Sequence, residues 1–170
     1  MFSDIYSNRK VLVTGHTGFK GSWLSAWLLD LGAQVGGLSI GEPTVPSHFG
    51  VIGLKQKLEH FECDICSKES IQEVFDNFQP EIVFHLAAQA IVRKSFDEPD
   101  LTIETNAIGT MNVLESVRKS SSVKAVVVIT SDKCYSNVEW TWGYRETDKL
   151  GGKDPYSASK GMAELVIRSY

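Results

Sequence analysis

No apolar run in the chain approaches the roughly 20 residues that a membrane-spanning helix needs. Met1 to Lys10 has neither the basic start nor the apolar stretch of a secretory signal. Lys and Arg are scattered and the formal charge is -4, so there is no basic footprint for nucleic acid or an anionic membrane surface. Cysteine is scarce, and three residues, an odd number, argue against a disulfide framework. Cys63 and Cys66 do form a CxxC, but no second pair is spaced to complete a four-ligand zinc site, and Cys134 stands alone. A redox CxxC opens a helix, whereas Cys63 ends a strand-like run. These absences leave a cytoplasmic protein that handles a small molecule, with no metal, nucleic acid or membrane.

What is present fits one domain: 170 residues, 42% hydrophobic and 22% charged. Val11-Leu12-Val13 reads as a buried parallel strand ending in Gly15. Leu24, Trp27, Leu28 and Leu31 then recur at helical spacing, with Gly32 as the stop. Strands are predicted at Val35 to Ser39, Leu58 to Cys63 and Ile82 to Leu86. Between the last two, Ser67 caps a helix with the apolar face Ile71, Val74, Phe75 and Phe78, ended by Pro80. A helix from Pro99 to about Lys119 leads into Ala125 to Ile129, the most β-branched run in the chain and the candidate central strand. Such alternation predicts an α/β fold, a Rossmann-like doubly wound parallel sheet with helices on both faces. The stretch from Asp132 to Lys153 has no period. Its Tyr135, Trp140, Trp142 and Tyr144 nevertheless argue against disorder. Asp154-Pro155 then starts a helix, as N-cap and first helical residue.

Two patterns carry chemistry. Thr14-Gly15-His16-Thr17-Gly18-Phe19-Lys20-Gly21 lies between the first strand and the first helix, where a dinucleotide turn belongs. There the backbone N–H groups and the helix N-terminus face a pyrophosphate, and the missing Cβ atoms allow close approach. Gly15, Thr17, Gly18, Phe19, Lys20 and Gly21 are the candidate cofactor contacts. The second strand ends without the expected ribose-binding acid; Glu42 is near the right spacing but lies in a loop before Pro43. No Lys or Arg occurs from Ala33 to Leu54 to neutralise a 2'-phosphate, which favours NAD over NADP.

The second pattern is Tyr156 and Lys160, four apart and so on one helix face. A tyrosine of pKa about 10 must be shifted by roughly three units, about 4 kcal/mol, to act as a base at pH 7. A neighbouring ammonium and a cationic nicotinamide ring could together supply that shift. Ser131, at the end of the fifth predicted strand, supplies a hydroxyl for the same carbonyl oxygen.

With these residues the chain resembles the N-terminal half of the extended short-chain dehydrogenases/reductases that act on nucleotide sugars. Besides the turn and Tyr156-Ser157-Ala158-Ser159-Lys160, the resemblance rests on Asp64-Ile65, His85-Leu86-Ala87-Ala88-Gln89, Glu104-Thr105-Asn106 and Thr130-Ser131-Asp132. It implies that Asp64 and Ile65 flank the adenine, that Leu86, Ala87 and Ala88 pass the ribose and pyrophosphate with Gln89 beside them, and that Thr105 helps seat the cofactor. It also implies a homodimer packed through the helices from about Asp100 to Lys119 and from Pro155 onward. A further C-terminal region of similar size would complete the sheet and recognise the nucleotide. Residues 1–170 are thus expected to be the NAD-binding domain of a longer protein.

Within that family, Gly15 to Leu24, Ser131-Asp132-Lys133-Cys134-Tyr135, Glu139 to Glu146 and Leu150-Gly151-Gly152 resemble the 4,6-dehydratases specific for CDP-glucose. The dTDP-glucose branch carries Asp-Glu where this chain has Asp132-Lys133. The resemblance implies oxidation at sugar C4 with Tyr156 as base, loss of the C5 proton, protonation of the leaving C6 hydroxyl by Asp132, and hydride return to C6. Asp132 would need a carboxyl raised by burial. Lys133 would either take the C5 proton or stabilise the enolate. A nucleotide-sugar epimerase or reductase of the same superfamily, or a non-catalytic cofactor-binding or dimerisation module, are the rival readings.

Overall fold

In the computed structural model, which describes residues 4–170, five strands form one parallel sheet in the order β3-β2-β1-β4-β5. They are β1 (Lys10–Thr14), β2 (Gln34–Ser39), β3 (Glu59–Glu62), β4 (Ile82–His85) and β5 (Ala125–Val128). The order reverses between β1 and β4. The carboxyl ends of these two neighbours therefore open the crevice in which a doubly wound sheet receives its ligand.

Helix α1 (Phe19–Asp30) covers one face of the sheet. There Leu28 packs with Val11, Val13 and Val35. Helices α3 (Lys68–Phe78) and α6 (Thr110–Lys119) cover the other. On that side Ile71, Phe75, Phe78 and Val113 pack with Leu12, Leu38 and Val83. Both predicted caps are observed: the Ser67 hydroxyl accepts from the Ser70 N–H, and Asp154 accepts from the Ser157 N–H. Asp154 thereby opens α7 (Pro155–Ser169). The sequence signals did not reveal α2 (His48–Val51) or α4 (Val92–Asp97).

The β-branched run expected at the centre forms β5, which pairs with β4 and is the last of the five strands among the described residues. Two expectations change. In α1 the buried stripe is Gly21, Ser22, Ser25 and Leu28, while Trp27 is 49% exposed. The glycine turn brings the start of this helix so near the sheet that Gly21, Ser22 and Ser25 face inward there, with Leu28 packing on the sheet further along. The long helix from Pro99 is interrupted: α5 (Pro99–Ile103) passes through a π turn at Glu104–Gly109 before α6. Single π turns of this kind occur frequently at functional sites.

The stretch after β5 is ordered. It begins with a 3-10 turn at Asp132–Cys134, and an antiparallel bridge joins Tyr135 to Leu150. Within it Tyr135 stacks on Tyr144 with ring centroids 5.3 Å apart. No helix among the described residues is long and apolar enough to cross a membrane.

Candidate active site

The glycine turn joins β1 to α1 at the mouth of the crevice. Gly15 has φ +72°, and a Cβ there would stand 2.8 Å from the Ala87 nitrogen, so the turn and the β4 loop touch backbone to backbone. Gly18 precedes α1 without a side-chain cap, and no acid lies in the first helical turn. The N–H groups of that turn and the positive end of the helix dipole are left to an anion. Phe19 and Lys20 are exposed beside them. Thr17 is buried and turned away from the turn's mouth, donating to the Gly41 carbonyl at 2.6 Å and lying 3.0 Å from Ser39 Oγ. Glu42 is engaged by the Ser47 hydroxyl.

Below the turn runs a buried polar relay that motif reading did not reveal. Thr14 Oγ1 accepts from the Leu86 and Ala87 N–H groups at 3.1 and 3.0 Å, so its own proton goes to His85 Nδ1 at 2.7 Å. Thr110 gives its proton to the Asn106 carbonyl at 2.7 Å. His85 Nε2 must therefore carry hydrogen toward Thr110, at 3.0 Å. Burial, and after it the Lys160 charge, pushes the His85 imidazole down to about 3. A neutral ring with one fixed tautomer thus ties β1 and β4 to the π turn.

At the π turn, buried Asn106 accepts from the Gln89 N–H at 2.9 Å. It donates to the Gln89 carbonyl at 3.0 Å and to Ser159 Oγ at 2.9 Å. It thus joins the Leu86–Gln89 loop to the stretch of α7 between Tyr156 and Lys160. Ala88 is half-buried in that loop. Thr105 lies on the same turn with Oγ1 3.9 Å from Cys66 Sγ. Asp64 is exposed and accepts from the Cys66 N–H, while Ile65 is buried against Gly109. Burial first, then Asp64, raises the Cys63 and Cys66 thiols to about 11, which keeps them protonated. Among the described residues no three His, Cys, Asp or Glu side chains are grouped to hold a metal.

Tyr156 and Lys160 are both buried. The Tyr156 N–H donates to Ser95 Oγ, itself fully buried. Burial lowers the Lys160 ammonium, and the charge of Lys20 lowers it further. The charge on α1 is thus felt at the Lys160 side chain of α7. Opposite α7 stands the turn after β5. Ser131 Oγ accepts from the Lys133 N–H at 3.3 Å and lies 3.0 Å from Asp132 Oδ1. Asp132 and Lys133 are exposed, so the burial that an acid role asks of Asp132 is not supplied by the described residues.

Known proteins agree with this arrangement. The family model described as GDP-mannose 4,6 dehydratase matches residues 12–170. A CDP-glucose 4,6-dehydratase of Salmonella typhimurium is 51% identical over 98% of this chain and 46% of its own length. A UDP-glucose 4-epimerase of Thermotoga maritima, solved with UDP-glucose, superposes with a TM-score of 0.84 at 29% identity, over 94% of this chain and 50% of that one. A UDP-glucose 4-epimerase of Thermus thermophilus, solved with NAD, gives 0.80 at 33% identity, over 95% and 50%. The chain spans about half the length of the curated relatives it matches. On the match of residues 12–170, together with the parallel sheet and the sites at its carboxyl edge, the chain belongs to the GDP-mannose 4,6 dehydratase family.

Proposed function

We propose that the protein containing this chain is an NAD-dependent nucleotide-sugar 4,6-dehydratase that converts CDP-glucose to CDP-4-keto-6-deoxyglucose. The reading is carried by the 51% identity to the Salmonella enzyme across almost the whole chain, which includes the Ser131-Asp132-Lys133 turn facing Tyr156 and Lys160. NAD fits the residues present. The turn at Gly15, Gly18 and Gly21 packs backbone against backbone with no room for a Cβ, the N-terminus of α1 is uncapped, and Lys20 and Lys160 add positive charge near it. Ser39 and the loop after it offer no cation for a 2'-phosphate.

When bound, NAD supplies the oxidant that takes hydride from sugar C4 and gives it back at C6. Tyr156 accepts the C4 hydroxyl proton, with Lys160 favouring the phenolate. Ser131 hydrogen-bonds the oxygen that becomes the 4-keto group. Once C4 is a ketone the C5 proton is acidic. Lys133 removes it, or stabilises the enolate while a water takes the proton; Asp132 donates a proton to the departing C6 hydroxyl, which leaves as water, and a proton returns to C5 as hydride reaches C6. Asp64, Ile65, Leu86, Ala87, Ala88, Gln89 and Thr105 line the path from adenine to nicotinamide. Leu101, Ile108, Met162 and Leu165 are exposed on α5, the π turn and α7, and support a homodimer packed through these helices. A cytoplasmic location fits a nucleotide-sugar substrate.

The test incubates the whole natural protein containing this chain with CDP-glucose, with dTDP-glucose and UDP-glucose alongside, and follows 4-keto sugar absorbance in base. CDP-glucose is expected to be consumed fastest. Turnover of none of the three, or 4-epimerisation without water loss, overturns the reading.

A further inference from the structure

Helix α7 carries a third polar side chain in register with the first two. Glu164 follows Lys160 by four residues, as Lys160 follows Tyr156, so the three lie along one strip of the helix. Its carboxylate accepts a hydrogen bond from Thr130 Oγ1, the residue just before Ser131. Nothing in the proposed chemistry uses either group.

The turn that Thr130 introduces is held against α7 at a second point. Gly161 is buried, and a Cβ there would stand 3.3 Å from the Cys134 carbonyl oxygen. That oxygen also accepts from the Gly151 N–H at 2.8 Å. The Cys134 N–H returns to the Ser131 carbonyl at 3.0 Å. Ser131, Asp132 and Lys133 thus lie on a short backbone arch with one foot on Glu164 and the other on Gly161. Burial, followed by the charge of Glu164, raises the Cys134 thiol, as expected for a carboxylate placed beneath the arch. On the far side Arg168 donates to the Glu146 carbonyl, which fastens the rest of the loop to the same helix.

We propose that Glu164 and Thr130 form a positioning clamp that fixes the Asp132-Lys133 turn against the helix bearing Tyr156 and Lys160. The clamp sets the spacing between the groups that oxidise C4 and those that expel water across C5 and C6. Glu164 is a positioning residue, since it acts through Thr130 and touches no reacting atom. The kinetic part of this inference rests on the dehydratase reading; the geometric part does not.

Two measurements test it, on the whole natural protein containing this chain. Glu164→Gln keeps an oxygen acceptor for Thr130, whereas Glu164→Ala and Thr130→Val break the bond. In amide hydrogen exchange the Cys134 and Gly151 N–H groups are expected to lose protection in the two breaking variants and to keep it in Glu164→Gln. In transient kinetics with CDP-glucose, the breaking variants are expected to eliminate water on the order of 10- to 100-fold more slowly, and to slow C4 oxidation, which uses only Ser131 of the arch, much less. Reduced cofactor would then accumulate, and the double variant would be no slower than either single one. Unchanged protection in the breaking variants overturns the clamp, as does equal slowing of both steps or failure of Glu164→Gln to rescue. If the wild type does not dehydrate CDP-glucose, the functional reading falls and the exchange result alone decides the clamp.

Discussion

Gly21 and Gly15 meet across the glycine turn so closely that a Cβ on Gly21 would stand 2.1 Å from the Gly15 carbonyl oxygen. The neighbouring atoms are all backbone, so nothing flexible can give way, and a side chain at Gly21 must open the turn. Gly21→Ala is therefore expected to destabilise the fold by about 3 kcal/mol and to remove NAD binding. At Gly18 the same Cβ would stand 3.2 Å from that oxygen, so Gly18→Ala should cost less of both. Urea unfolding and calorimetric titration with NAD measure the pair. Equal effects would show that the close approach is not what the turn requires.

Thr14 sets the alignment of β4 with the turn through its hydroxyl, which accepts from two backbone N–H groups and donates to His85. Thr14→Val keeps the shape and the Leu86 N–H keeps the Thr14 carbonyl, but the Ala87 N–H and His85 lose their partner, at a cost of about 2 kcal/mol. Thr14→Ser restores the oxygen and should recover most of the loss in denaturant unfolding. If Thr14→Ser is as unstable as Thr14→Val, the methyl group and not the relay is what matters.

Acid stability follows from two buried imidazoles. Burial holds His85 down to about 3 and His16 down to about 4, the second helped by the nearby His60. An unfolded chain protonates both near pH 6.5, so below that pH the unfolded state binds more protons and stability falls with pH. The loss runs from about pH 6.5 down to these depressed values. Its slope is roughly 1.4 kcal/mol per pH unit for each imidazole that stays neutral in the fold. His85→Gln is expected to flatten the acid limb of a stability-against-pH curve, and an unchanged slope would place the acid sensitivity elsewhere.

What was legible in the sequence was whatever the backbone alone enforces. The glycine turn, the Ser67 and Asp154 caps and the apolar face of α3 all follow from local rules, and all stand where those rules put them. The inward face of α1 was read only in part: Leu28 and Leu24 pack as periodicity predicts, but beside the turn the distance fits Gly21, Ser22 and Ser25, and Trp27 is left outside. His85, Asn106 and Glu164 were silent as polar partners for another reason. Each owes its role to groups brought near only by the fold, such as Thr110 for His85, Ser159 for Asn106 and Thr130 for Glu164.

Tyr156 offers the sharpest separation of chemistry from structure. Its ring is buried, its N–H is satisfied by Ser95, and its place on α7 is fixed by the Asp154 cap two residues earlier. Phenylalanine fills the same volume and disturbs none of these, so Tyr156→Phe should melt within a few degrees of the wild type. NAD affinity should change little if, as proposed, the pyrophosphate is held at the glycine turn. Only the acceptor for the C4 hydroxyl proton is lost, and kcat is expected to fall on the order of 10²- to 10⁴-fold with KM little changed. Oxidation at C4 is the step affected, so no reduced cofactor should accumulate. That outcome is the opposite of the one expected for Glu164→Ala, and together the two variants assign oxidation and elimination to different ends of one helix strip. A Tyr156→Phe rate within tenfold of wild type would mean that another group takes the proton.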